Sequence, residues 1–103
     1  MRMMVKRIKM SDYKFSENKT LEELKKYIDS TYDSHYSKSK FQATEFILDS
    51  GHGEGFCIGN ILKYAQRYGK KNGKDRKDLL KVIHYAIIAL HINNMENIDN
   101  ETE

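Results

Sequence analysis

The segment between residues 76 and 93 limits the possible folds of this chain more than any other. Apolar side chains recur there three and four positions apart, which is the spacing of one face of an α-helix. The chain has no proline and only six glycines, a composition that disfavours a turn-rich β architecture. We therefore predict an all-α fold whose fourth and longest helix runs from about Arg76 to about Asn93. The residues of the stripe are Leu79, Val82, Ile83, Ala86, Ile87 and Leu90.

Two capping boxes predict where the first two helices begin. The hydroxyl of Thr20 can accept a hydrogen bond from the backbone while Glu23 reaches back to it, and apolar residues then recur on one face over residues 21–32. Ser39 and Gln42 form the second box. It predicts a short second helix that ends before the next glycine-rich segment.

Glycines predict the boundaries of the third helix. Three of them fall within residues 51–55, a density that indicates a loop, so the third helix should begin at Glu54 or Gly55. The glycines at both ends of residues 69–73 are candidates for left-handed backbone that ends it. Asp75 is then the expected N-cap of the fourth helix. Helices three and four should pack as an antiparallel hairpin.

The length of 103 residues indicates one small domain. We predict an N-terminal extension over residues 1–19, a helical domain over residues 20–94 and an acidic, disordered tail over residues 95–103. Ile88 and Ile92 lie outside the apolar stripe and widen the apolar surface beyond what one hairpin covers. Since small domains bury a modest share of their surface, this pattern favours a homo-oligomer.

The lack of a long apolar run and the single cysteine are typical of an intracellular protein. Residues 1–9 are basic and are either an extension ahead of Met10 or a short basic β-strand. No apolar run approaches the roughly 20 residues of a membrane span, so no membrane partner is expected. Cys57 cannot form an internal disulfide and is expected to be a small buried residue in a reducing cytoplasm.

The charge of the chain is concentrated in one segment. The net charge is only +3, yet the segment from Lys63 to Lys81 contains eight basic and two acidic residues. The residues after Asn94 are acidic and include no base. An anionic partner is therefore favoured at one place on the molecule.

Polar and aromatic residues of the third helix share one face, if the helix continues unbroken to Lys71. An amide, a guanidinium, ammonium groups and a ring in this arrangement suit a phosphate and a base. The competing interpretation is a solvated cationic face near a helix C-terminus, where bases are favoured anyway. The preceding glycine loop is not a P-loop. The residues of this face are Asn60, Lys63, Tyr64, Arg67, Lys70 and Lys71.

The histidines give weaker indications. His35 and Tyr36 lie in a polar linker, where they either contact a ligand or anchor the linker. His84 and His91 are seven residues apart, which does not fit a metal site, so both are expected to be ordinary helix histidines. We predict no catalytic and no metal-binding residues.

One pattern in this sequence consists of His35-Tyr36, the stretch from Gly55 to Tyr64, Arg67, Gly69-Lys70-Lys71, Asp78-Leu79, Lys81 and Tyr85. It resembles the SaV-like family of small phage proteins. Members of that family are often described as phage nucleotide kinases. The resemblance covers about half of the chain and implies a nucleotide ligand, a phage origin and the cytoplasm of an infected bacterium. It favours ligand binding over a merely solvated face. The expected binding residues are His35, Tyr36, Gly55, Phe56, Gly59, Asn60, Lys63, Tyr64, Arg67, Lys70, Lys71, Lys81 and Tyr85.

Two functions of different class follow. In the first, the chain binds a nucleotide or a nucleotide-derived signal of host defence and sequesters it without chemistry. In the second, which the resemblance suggests, it is a kinase for deoxynucleoside monophosphates, and only then are ATP and Mg²⁺ cofactors. The sequence has no Walker lysine loop and no acidic pair placed for Mg²⁺. Asp75 and Asp78 are the only acids near the cationic face, and Asp75 is more simply a helix cap. Nucleic-acid binding is a third, less favoured function, because the overall charge is modest.

Overall fold

The computed structural model describes residues 8–9, 12–33 and 37–101. The described chain forms four helices and no strand, which confirms the predicted all-α fold. The prediction for residues 1–9 falls almost wholly outside these ranges. The helices are α1 (Glu17–Asp33), α2 (Ser37–Asp49), α3 (Gly53–Arg67) and α4 (Arg76–Glu101).

The first two helices begin earlier than predicted. Thr20 lies inside α1, where its backbone N–H donates to the carbonyl of Ser16 at 3.0 Å. Ser39 likewise lies inside α2, which begins at Ser37. Both predicted capping boxes are therefore wrong. Ser16, with φ of 59°, precedes the helix, and no residue between it and Thr20 disfavours helix. Residues 17–19 of the predicted N-terminal extension therefore belong to α1.

The glycine-rich loop is shorter than predicted, because Gly53 and Gly55 lie in the first turn of α3. Gly51, with φ of 87°, forms the turn. Gly53 is buried, and a Cβ at this position would lie 2.9 Å from Cγ of Leu48 and 2.8 Å from Cδ1 of Ile92. Close helix approach, rather than loop geometry, is the reason for glycine there.

The connection between α3 and α4 follows the prediction. Gly69 and Gly73 have positive φ values of 86° and 66°. Asp75 caps α4, since its Oδ1 accepts a hydrogen bond from the backbone N–H of Lys77 at 2.9 Å. The left-handed glycines and the N-cap are confirmed.

The fourth helix is longer than predicted. It continues past Asn93 to Glu101, so a disordered tail over residues 95–103 is wrong as far as residue 101. No glycine or proline follows Asn93 to end the helix. Met95 and Ile98 also continue its apolar pattern three residues apart.

The two helices of the C-terminal half pack antiparallel. Phe56 near the start of α3 contacts Tyr85 in the middle of α4, with ring centroids 5.7 Å apart. Arg67 at the end of α3 faces Asp78 in the first turn of α4. This order of contacts brings the residues of the predicted site against the first half of α4.

The first two helices close one side of this pair. α1 is held to α4 by Arg76, whose guanidinium donates to both carboxylate oxygens of Glu23, with an Nε–Oε2 distance of 2.6 Å. α1 and α2 are joined by the rings of Tyr32 and Phe41, which stack with centroids 4.3 Å apart. The four helices thereby leave a cleft between them.

The hydrophobic core of the described chain is small. Its buried apolar residues are Leu24, Cys57 and Leu80, and Cys57 is fully buried as predicted. Half of the α4 stripe is exposed, since Leu79, Ile87 and Leu90 are 42%, 40% and 60% exposed and the other three residues are half-buried. No helix in the described ranges is long and apolar enough to cross a membrane.

Candidate functional site

The predicted binding face does not continue beyond the end of α3. Lys70 and Lys71 lie in the turn that follows Arg67, and both are exposed. The ammonium group of Lys70 donates a hydrogen bond to Oε1 of Gln66 at 3.4 Å. A single helix from Asn60 to residue 71 is therefore wrong, because the glycine-containing turn starts too early.

Arg67 is engaged inside the fold. Its Nε lies 3.6 Å from Oδ1 of Asp78, a carboxylate that is only 2% exposed. The distance is too long for a hydrogen bond, and among the described residues neither Nε of Arg67 nor Oδ2 of Asp78 has a hydrogen-bond partner. The contact is an ion pair that joins α3 to α4. The predicted phosphate-binding role of Arg67 therefore competes with an internal carboxylate.

Three aromatic residues from the predicted set come together. The rings of Tyr64 and Tyr85 are nearly parallel, at 11°, with centroids 6.1 Å apart. Phe56 meets Tyr85 edge-on, at 80°. The three half-buried rings therefore join α3 to α4.

Cations surround one of these rings. The ammonium nitrogens of Lys63 and Lys81 lie 5.1 Å and 4.9 Å from the centroid of Tyr64, and Cζ of Arg67 lies 5.9 Å from it. Each distance is within the range of a cation–π interaction. Lys81 comes from α4, so the helix hairpin, and not α3 alone, assembles this group.

A small cleft of about 70 Å³ opens between the four helices beside this cluster. We call it the aromatic cleft. Its walls contain two ammonium groups, several rings and no carboxylate in the described part of the chain. Such a lining attracts a planar anion. The lining residues are Tyr27, Lys40, Phe41, Thr44, Tyr64, Lys81, His84, Tyr85 and Ile88.

The sequence interpretation missed most of this lining. Tyr27 lies three residues after the buried Leu24, a spacing that indicates the inner face of α1. His84 follows Lys81 by three residues and precedes Tyr85, so its position on the cleft side of α4 was also visible in the pattern. The contributions of α2 had no comparable signal. The missed residues are Tyr27, Lys40, Phe41, Thr44, His84 and Ile88.

Burial sets the protonation of the cleft. It lowers the pKa of His84, and the nearby positive charge of Lys40 lowers it further. Burial raises the pKa of Tyr27 and of Tyr85, and the neighbouring Tyr64 adds to both shifts. At neutral pH His84, Tyr27 and Tyr85 are therefore uncharged.

The remaining predicted residues are less informative. The side-chain amide of Asn60 donates to the carbonyl of Phe56 at 2.9 Å within α3. Gly55 and Gly59 have open space around them. His35 and Tyr36 lie outside the described residues. In the described part of the chain, no group of three or more His, Cys, Asp or Glu residues is placed to hold a metal ion.

A protein-family model matches residues 30–87, more than half of the chain. The chain belongs to the DUF3310 family. The family is described as a protein of unknown function. The DUF3310 match runs from the end of α1 into α4 and includes most residues of the aromatic cleft, with Tyr27 and Ile88 just outside it. No curated protein and no solved structure matches the chain.

Proposed function

We propose that this DUF3310 protein binds a nucleotide or a nucleotide-derived signalling molecule in the aromatic cleft and sequesters it without chemical change. The observation that supports this most is the lining of the cleft, where two ammonium groups and several rings occur without a carboxylate. Phosphate requires the first and a nucleobase the second.

The cleft suggests a role for each of its walls. The ammonium groups of Lys40 on α2 and Lys81 on α4 lie on different helices, and both can approach one phosphate group. Tyr64 and Tyr27 offer ring surfaces to a base. His84, uncharged at neutral pH, can donate or accept one hydrogen bond. Arg67 is left out of this set because Asp78 neutralises it.

The biological setting follows from the resemblance to SaV-like phage proteins. A phage protein that holds a host signal would act in the cytoplasm of the infected bacterium and would need enough copies to lower the free concentration of the signal. Assembly with other copies of the same chain fits this setting, because many apolar side chains of the described residues are exposed.

The test compares lysines inside and outside the cleft. Small molecules that copurify with the protein are identified by mass spectrometry, and their affinity is measured by calorimetry. We expect Lys40→Gln and Lys81→Gln each to weaken binding by roughly 10- to 100-fold, since a charge-assisted contact contributes about 1.5–3 kcal/mol.

The turn residues Lys70 and Lys71 give the matched control. Lys70→Gln and Lys71→Gln remove the same charge but lie outside the cleft, so they should leave the affinity unchanged. Equal losses at all four positions, with steep salt dependence, would instead indicate general nucleic-acid binding.

The reaction product distinguishes the kinase alternative from sequestration. The protein is incubated with a nucleoside monophosphate, ATP and Mg²⁺, denatured, and the nucleotides are analysed. Unchanged nucleotide supports sequestration. Recovery of the diphosphate of the added nucleoside would reject the binding-only proposal.

A further inference from the structure

The side of the α3–α4 hairpin that faces away from the aromatic cleft is apolar and exposed. Each residue of a helix advances by about 100°, so Ile87 and Leu90 lie across α4 from the cleft residues Lys81 and Tyr85. On α3, Ile58 and Leu62 are 46% and 64% exposed. We call this surface the outer face. It consists of the half-buried Ile83 and the exposed residues Ile58, Leu62, Leu79, Ile87, Leu90 and Ile98.

This exposure is large for so small a chain. The radius of gyration is 16.9 Å, whereas a compact domain of this length has about 13 Å. Only three apolar residues of the described chain are buried. Contiguous apolar surface of this kind on a small domain marks a site where another surface binds.

We propose that a second copy of this chain covers the outer face, with the two α4 helices antiparallel about a two-fold axis between Ile88 and Ala89. This axis makes the exposed stripe complementary to itself, as a two-fold interface requires. The two α4 helices then contact each other over about 28 Å, through three kinds of residue pair, one from each copy. The facing pairs are Leu79 with Ile98, Ile83 with Asn94, and Ile87 with Leu90.

One layer of this arrangement is mixed. Asn94 lies on the stripe between Leu90 and Ile98, and it faces Ile83 of the second copy. Its amide gains no hydrogen-bond partner there and stays at the solvent-exposed edge, so the register depends on the apolar layers on either side.

The charges of α4 favour an antiparallel second copy over a parallel one. Lys77 lies at the start of the helix, its last turn contains no base, and Glu96 lies near its end. Arg76 contributes little here because it is paired with Glu23, and the first turn also contains the acid Asp78, which the helix dipole favours. The acidic end, in contrast, is the reverse of what the dipole favours. An antiparallel copy places this end beside the basic start of the other helix, whereas a parallel copy would place the two acidic ends together.

The interface leaves the proposed binding site open. The outer face and the aromatic cleft lie on opposite sides of the hairpin, so both clefts of a dimer remain accessible. The inference does not depend on the proposed ligand, because it follows from the exposed apolar residues and the charges of α4 alone.

The first test measures mass by sedimentation and native mass spectrometry. We expect the natural chain to form a dimer or a higher even-numbered assembly. Ile87→Lys and Leu90→Glu should each weaken the self-association by about 100-fold or more, because each places a charge in an apolar layer. Phe46→Lys, at a 75% exposed position on α2, is the matched control and should not change it.

Mixing the two variants tests the register. In the proposed pairing Lys at position 87 of one copy faces Glu at position 90 of the other, so an equimolar mixture should regain the dimer. Failure of the mixture to regain it, or a monomeric natural chain, would overturn the proposal.

Cross-linking gives a second readout that tolerates weak association. Mixed Ile87→Cys and Leu90→Cys chains should form a disulfide between copies on mild oxidation, and native Cys57 is fully buried. Cross-linking of either cysteine variant with itself, at a rate equal to that of the mixture, would indicate a parallel pairing and reject the antiparallel one.

Discussion

Arg67 owes its role to one tertiary contact. In the sequence it is one of eight bases in a cationic segment, and its spacing from Lys63 places it on the same helix face. In the fold it faces Asp78, the most buried charged residue of the described chain. A buried carboxylate needs a counter-charge, so the structural requirement competes directly with any ligand for the guanidinium.

Replacing Asp78 tests this structural role. We expect Asp78→Asn to lower the free energy of unfolding by about 1–3 kcal/mol, because Arg67 stays partly buried and loses its counter-charge. The change is measured by urea denaturation followed by circular dichroism. The exposed Asp49→Asn is the control and should stay within about 0.5 kcal/mol of the natural chain. Equal stability of the two variants would argue against a structural ion pair.

His84 makes stability depend on pH. The ordinary pKa of histidine, about 6.5, applies to the unfolded chain, and burial beside Lys40 lowers the pKa in the fold. Below pH 6.5 the unfolded chain therefore binds more protons than the folded chain, so stability should fall as the pH drops from 7 toward the folded pKa. Urea titrations at several pH values should show this slope. The dependence of stability on pH should weaken in His84→Gln and persist in the exposed His91→Gln. An unchanged dependence in His84→Gln would contradict the role of His84.

The boundaries of the helices show what neighbouring elements impose. Gly53 reads as a loop residue in the sequence but is buried in the first turn of α3, where α2 and α4 approach it closely. Gly59 lies in the same helix, yet nothing lies within 4 Å of a Cβ built there. Close packing therefore requires glycine at position 53 but not at position 59.

Alanine at these two positions should shift stability in opposite directions. Gly59→Ala should stabilise the protein by about 0.5–1 kcal/mol, since alanine is the better helix former. Gly53→Ala should destabilise it, because overfilling a packed contact costs about 1–3 kcal/mol and exceeds that gain. Thermal and urea unfolding measure both. A stabilised Gly53→Ala would show that Leu48 and Ile92 move aside without loss.

At the scale of the whole molecule, the single chain is an open assembly of helices. Its radius of gyration exceeds that of a compact domain, and its described core contains three buried apolar residues. The cleft and the outer face are both consequences of this openness. One side of the hairpin contains the cleft that we propose binds a ligand, and the other contains the face that we propose binds a second copy.

Stability should therefore depend on protein concentration. If copies associate through the outer face, the Tm of the natural chain should rise with concentration, because association favours the folded state by mass action. Scanning calorimetry over a hundredfold range measures the shift. Ile87→Lys should show a Tm that does not change with concentration, and an invariant Tm of the natural chain would contradict association.

The sequence alone determined the helical class, the left-handed glycines at positions 69 and 73, the cap at Asp75 and the burial of Cys57. These are local properties, set by hydrogen bonds, backbone preference and side-chain type within a few residues. It also indicated Tyr64, Lys81 and Tyr85 as members of one cluster.

Only the tertiary structure decided which residues meet. The pairing of Arg67 with Asp78, the place of Lys40 and His84 in the cleft, and the exposure of half of the α4 stripe all depend on how four helices cross. Helical periodicity says that residues share a face, but not which face another helix covers. That choice is made by contacts between residues far apart in the chain.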